Sequence, residues 1–473
     1  MIAQVKLSNP SAILADLKGA LNPKTNWIAE NTAILVVHGI GDQVPLATLD
    51  DFARGFVRAY RDMGVKLKLR HELMAKDGNG KVWFDNVLRI KNEDSEHYID
   101  IYEYYWANYT EDKASWDDLN KWLQGVVDGA KTFYKKNGAL GQEYKDKSIF
   151  FDKKTGEFNS GIYQVFISGI AKFFMAFDMT LEFLIKAVGF IPFMGGIASK
   201  LLEKLSGTFI HNLTNVIGDV AIYNVVDPKS KFYCVRSQIA DGAIGALRYL
   251  VEKTTDTAKL HDLEDDLKNK RITAADYDKG LKKLEAYYPS VIVAGHSLGS
   301  QVAYDSVNKL NLLLNEGNIK TYTNKAVSKL KHGNTIDKQL KGFITFGSPL
   351  DKIIFFLREN VPNNNYIRQQ IVNHYHGFKL RPVDHHNNEL TNNEYIKADC
   401  GLERYLENIQ WRNYYDNKDY VSGGLDYYTG LTNVDCHFKA KKIDFTHSNY
   451  WDCPDFYRDI IVHYLSPPKT DSF

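Results

Sequence analysis

Val291-Ile-Val-Ala-Gly-His-Ser-Leu-Gly-Ser-Gln-Val-Ala-Tyr-Asp305 is the stretch that decides the fold. Its first residues extend the apolar run Ser290–Ala294, and such runs suit a strand buried on both faces, as in a parallel sheet. A helix-compatible segment follows from Leu298 to about Leu314. Between them stands Gly295-His296-Ser297-Leu298-Gly299, a G-x-S-x-G pentapeptide in the strand–turn–helix setting of a nucleophile elbow. Glycines flank the serine because side chains would clash in so sharp a turn. The turn would hold the Ser297 hydroxyl above the sheet, with the Leu298 amide facing a developing oxyanion. The competing reading is an ordinary glycine-rich strand–helix turn.

Working outward, Thr32–Val37 (TAILVV) is a second buried strand, ending in His38-Gly39-Ile40-Gly41-Asp42. Acyl transfer needs a second oxyanion donor from a loop after an early strand, and the Ile40 amide is the candidate. A phosphate-binding loop is the rival, but the Gly-Lys-Ser/Thr ending and a third glycine are missing. Leu49, Phe52, Phe56 and Tyr60 predict an amphipathic helix next. Strands are expected at Lys81–Ile90, Tyr98–Trp106, Gly342–Phe346 and Asn408–Trp411, and a final helix at Phe456–Tyr464. This is α/β grammar: a mostly parallel sheet with helices on both faces.

The triad partners of such a serine follow in the order Ser, Asp/Glu, His. Of fourteen histidines, His447, in a loop just before the last helix, fits the base. His374, His376, His385, His386 and His437 compete, and the first four have some ligand character, but no recognised metal pattern is completed. For the acid, Asp419 is preferred in the loop following WRNYYDNK, with Asp416 in reserve and Asp351 third. No metal and no cofactor is expected.

With 473 residues, 59 Lys+Arg and 58 Asp+Glu, the chain lacks the global charge of a dedicated nucleic-acid binder. At 44% apolar and 25% charged it matches a soluble globular protein, and a mean hydropathy of -0.36 excludes a polytopic membrane protein. Four scattered cysteines make neither a disulfide framework nor a zinc site. Lys6, Asp16 and Lys18 interrupt the N-terminal region, so no signal peptide is expected, and a cytoplasmic location follows unless export is signal-independent.

The expected layout is a core part at 1–106, an apolar helical cap or membrane-contacting insertion at 107–210, core helices at 211–251, a charged helical hairpin at 252–288, and a second core part carrying the triad at 289–473. Within the cap, Lys172–Lys186 is largely apolar, with Asp178, Glu182 and Lys186 four apart on one narrow stripe. The uncharged Ala187–Ser199 follows, broken by Pro192 and glycines. No run reaches the roughly eighteen apolar residues of a spanning helix. A buried hairpin and a cap or lid facing lipid are the two main readings of this block, and a transmembrane hairpin is the third. In the charged hairpin, Thr273 with Asp276 three residues on predicts a helix N-cap.

The chain resembles α/β-hydrolases of the lipase-like bacterial type. The residues that carry the likeness are VVHGIGDQ (Val36–Gln43), IYEYYW (Ile101–Trp106), GDVAIY (Gly218–Tyr223), VIVAGHSLGSQVAYD, ITFGSPLD (Ile344–Asp351), WRNYYDNKDYVS (Trp411–Ser422) and the His447 loop. More distantly it is similar to GPI inositol-deacylases and to secreted bacterial phospholipase effectors. The likeness covers about two thirds of the chain by the extent of its motifs, leaving out about 107–210, 252–288 and 352–405. It implies an α/β-hydrolase fold with Ser297 as nucleophile, Asp419 as acid, His447 as base, and Ile40 and Leu298 as oxyanion donors. One departure is Asp419-Tyr420, where such proteins often have Asp-Pro. The function expected is a serine carboxylic-ester hydrolase, a lipase or phospholipase with peripheral membrane contact through 161–202. Alternatives are an esterase or thioesterase on a soluble substrate, and a non-catalytic membrane-associated scaffold. Glu103, on the strand face of Ile99 and Ile101, is expected to hydrogen-bond structurally.

Overall fold

The computed structural model describes residues 3–6, 28, 30–39, 44–72, 86–110, 131, 142, 151–162, 223, 232–319, 336–351, 353, 378–379, 404–417, 419, 421–426, 428–438 and 447–466. Most of the apolar block, residues 163–202, and the histidines His374, His376, His385 and His386 lie outside them.

The strands in chain order are β1 (Ala3–Lys6), β2 (Thr32–Val37), β3 (Leu67–Glu72), β4 (Val87–Asn92), β5 (Tyr98–Tyr104), β6 (Ser290–His296), β7 (Leu340–Phe346), β8 (Gln410–Tyr415) and β9 (Leu431–Asp435). Eight of them run β3-β4-β5-β2-β6-β7-β8-β9 across one sheet, and the short β1 adds a ninth beside β9. Only the pairings of β4 with β3 and β5 are antiparallel; every other pairing is parallel. The fold is therefore α/β with a mixed, mostly parallel sheet.

Helices cover both faces. Alternate strand residues Leu35, Val37, Val293 and Phe343 pack with α2 (Tyr233–Glu252) and α5 (Gly299–Asn315) in one core. Their neighbours Ile34, Val36, Ile292 and Phe346 pack on the other face with α1 (Ala47–Asp62) and α6 (Pro454–Ile460). Because both faces are dry, β2 and β6 read as unbroken apolar runs. The charged hairpin is present as α3 (Thr257–Lys268) and α4 (Ala274–Leu281), whose N-cap Thr273 forms a reciprocal capping box with Asp276.

Five expected strands shift: Ser290–Ala294 runs on to His296, Gly342–Phe346 begins at Leu340, and three others change as follows. The Lys81–Ile90 strand begins at Val87 and runs to Asn92, with residues 81–85 outside the described set. Tyr98–Trp106 ends at Tyr104. Asn408–Trp411 becomes Gln410–Tyr415, because Asn413 satisfies its amide within the sheet, donating to Asn433 at 2.9 Å while receiving the Thr345 hydroxyl at 2.9 Å. Three strands were not expected, the short β1 among them. β3 is an edge strand with mostly exposed charged residues, and β9 carries Thr432 and Asn433.

Candidate active site

Parallel strands deliver their C-terminal ends to one rim of the sheet, where sites form in open α/β folds. Ser297 stands there, between the end of β6 and the start of α5, with φ 52. A left-handed serine is strained, and here the turn is held by its amide donating to the Phe346 carbonyl at 3.0 Å. Gly299 makes the turn possible: a Cβ there would collide with the carbonyl oxygens of Val37 and His38 at the end of β2. The Ser297 Oγ is buried with no hydrogen-bond partner among the described residues. Buried polar atoms are normally paired, so an orphan nucleophilic oxygen invites a functional reading. Leu298 immediately precedes α5, so its N–H belongs to the open N-terminal end of a helix with no acidic residue in its first turn.

His447 and Asp419 meet at this rim. The His447 Nδ1 lies 2.9 Å from Asp419 Oδ2. Since a carboxylate can only accept, Nδ1 carries the proton. Burial would raise the Asp419 carboxyl. The hydrogen bond and charge of His447, the Val421 amide and the Ser422 hydroxyl outweigh it and hold Asp419 well below the usual carboxylate range. A Cβ on Gly347, the residue after β7, would lie 3.0 Å from His447 Cε1 and 3.2 Å from His296 Nε2. The imidazole thus sits against the end of β7, beside the residue that precedes Ser297. The reserve acid Asp416 is used elsewhere: its carboxylate accepts the Phe438 N–H at 2.6 Å. Asp351 accepts the Asp426 amide.

Three further residues buttress the site: His296 and His38, which motif reasoning left without a role, and Glu103, expected to hydrogen-bond structurally. His296 is fully buried, and its Nε2 donates to the His447 carbonyl at 3.2 Å, with ring centroids 4.8 Å apart. Burial, then the neighbouring His447, lowers it to about 3, so it stays neutral. His38 donates from Nδ1 to the Gly39 carbonyl at 2.6 Å and accepts the Trp106 amide on Nε2 at 2.8 Å. It stacks on the Trp106 indole with centroids 5.0 Å apart, and burial lowers it to about 4. The start of the glycine loop is thereby fastened to the end of β5. Glu103, also at that end, accepts the Leu46 amide at 2.8 Å; burial lifts its carboxyl to about 7 despite that bond and those of Thr48. The signal for all three was position: each lies at or next to a strand's C-terminal end.

Ile40, the second oxyanion donor expected from sequence, lies outside the described residues, but its neighbour Gly39 does not. Just beyond that loop, Val44 is 66% and Leu46 43% exposed. His437, offered above as a competing base, instead approaches Asp435 at 3.5 Å. Among the described residues no cluster of three or more His, Cys, Asp or Glu could hold a metal ion, and no helix is long and apolar enough to cross a membrane.

Comparison with protein-family models, with curated proteins and with solved structures finds no match. What the chain does must be argued from its own geometry.

Proposed function

We propose that the chain is a serine hydrolase of the α/β-hydrolase type that cleaves carboxylic esters through an acyl-enzyme on Ser297. The observation that carries this reading is the Asp419–His447 hydrogen bond at the sheet rim where Ser297 is held in a left-handed turn with an unpaired Oγ. His447 takes the Ser297 proton on Nε2 as Oγ attacks the carbonyl carbon, and Asp419 steadies the resulting imidazolium. The Leu298 amide, with Ile40 as second donor, receives the negative charge on the carbonyl oxygen. The imidazolium returns its proton to the leaving alcohol, and water deacylates the serine by the same route.

Lipid-like esters are the favoured substrates. Supporting this are the apolar composition of 161–202 and the exposed Val44 and Leu46 beside the glycine loop. Peripheral contact with a lipid surface belongs to the same proposal.

The test is labelling with a fluorophosphonate probe and mapping of the modified peptide, with and without liposomes. Modification at Ser297 that disappears in His447→Ala is the expected result. Absence of labelling on folded protein under both conditions would remove the hydrolase reading and leave the non-catalytic scaffold.

A further inference from the structure

Asp419 receives more than one side chain on its inner oxygen. Oδ1 accepts the Val421 amide at 2.9 Å, while Oδ2 accepts both His447 Nδ1 at 2.9 Å and the Tyr450 hydroxyl at 3.0 Å. Tyr450 lies three residues after His447, in the single helical turn Asn449–Asp452, and is completely buried. The edge of its ring meets Phe438 with centroids 4.9 Å apart, and its oxygen lies 3.0 Å from Ser422 Oγ. The phenol is therefore held in place by packing, with its proton aimed at the carboxylate.

We propose that Tyr450 is a positioning residue for the Asp419–His447 pair, its phenol sharing the carboxylate oxygen that receives the His447 proton. The role rests on the hydrolase reading above. Two donors on one oxygen divide its charge, so the phenol restrains the pull of Asp419 on the imidazole. It also blocks rotation of the carboxylate away from His447. The imidazole that the hydrolase reading makes the base is thereby held in one orientation. The titratable groups around the His447 ring are Asp419, Tyr450 and His296, and the last is buried and neutral.

Tyr450→Phe removes the donor and keeps the ring. The far-downfield proton of His447 Nδ1, assigned by its loss in His447→Ala, should move further downfield. The rate of fluorophosphonate labelling should fall about tenfold near neutral pH, with its acid limb displaced upward. Fluorotyrosine at position 450, a stronger donor, should move the proton and the acid limb of labelling in the opposite sense, which loss of packing would not do. If Tyr450→Phe does not fold, Ser422→Ala should give the same direction with smaller size. An unchanged His447 proton in the folded variants overturns the proposal. Failure of the wild-type protein to label would instead overturn the hydrolase reading, because the resonance measurements need no turnover.

Discussion

A methyl group on Gly39 would lie 2.7 Å from the Cβ of Ser297 and 3.2 Å from Nδ1 of His296. The glycine loop after β2 and the turn after β6 are thus in van der Waals contact through the one residue type that leaves room. Gly39→Ala should lower Ser297 labelling by about a hundredfold, the size of a small misplacement at a reacting centre. The overpacking should cost about 1–3 kcal/mol of stability. Labelling close to wild type in the alanine variant would mean that the loop can retreat without consequence.

The two aspartates of the acid loop should separate cleanly. Asp419→Asn keeps the shape but presents an amide to His447 Nδ1, favouring the wrong tautomer, and should slow labelling by about 10⁴. Asp416→Asn weakens the acceptor for the Phe438 amide, so it should lower the thermal midpoint while leaving labelling within about tenfold. Equal losses in both would place the acid elsewhere.

The buried titratable groups set opposing pH dependences. His38 and His296 remain neutral in the fold, near 4 and 3, whereas an unfolded chain protonates them as pH falls through about 6.5. The unfolded state then binds more protons, and stability drops toward acid by about 1.4 kcal/mol per pH unit for each proton. Glu103 acts the other way. Between its ordinary 4.5 and about 7 the native state keeps a proton the unfolded chain has released, so its contribution is lost as pH rises through that window. Glu103→Gln should therefore make the rise in stability from pH 4.5 to 7 steeper by about one proton. Denaturant midpoints measured across pH 4 to 8 check this, and superimposable profiles would contradict it.

Leu46 has φ 71 and is substantially exposed, a costly conformation for a leucine with little burial in return. Leu46→Gly should stabilise the protein by about 1 kcal/mol, since the Glu103 contact uses only the backbone amide. If the side chain serves lipid-like esters, the same variant should lose activity on long-chain aggregated esters and keep it on short soluble ones. Equal activity on both would leave Leu46 without a substrate role.

The legibility of these elements follows their surroundings. β2, β6 and β7 were readable because their central residues are dry on both faces and apolar or small. β3 was not, since an edge strand with exposed Lys68, Arg70 and His71 carries no buried pattern. β9 hid because Asn433 is spent on other polar groups: its side-chain oxygen accepts from Asn413 at 2.9 Å and from the Leu425 amide at 3.0 Å. The serine turn announced itself through glycines, and the order of residues led to Asp419 and His447, which the fold brings together. His38, His296 and Tyr450 gave no such signal. Their roles depend on which nitrogen or hydroxyl faces which acceptor, and no spacing rule encodes that.

The pairing of Ala3 with Thr432, and of β2 with β6 across hundreds of residues, gives biosynthesis a direction. The serine turn leaves the ribosome roughly ten to thirty seconds before His447 at ordinary rates of elongation. During that interval Ser297 exists without His447, and β1 is without β9, the strand it pairs with. A chain cut short between Ser297 and His447 consequently holds Ser297 without the Asp419–His447 pair. Under the proposed hydrolase reading, competence arrives only once His447 has been added, after the strand β9 is in place.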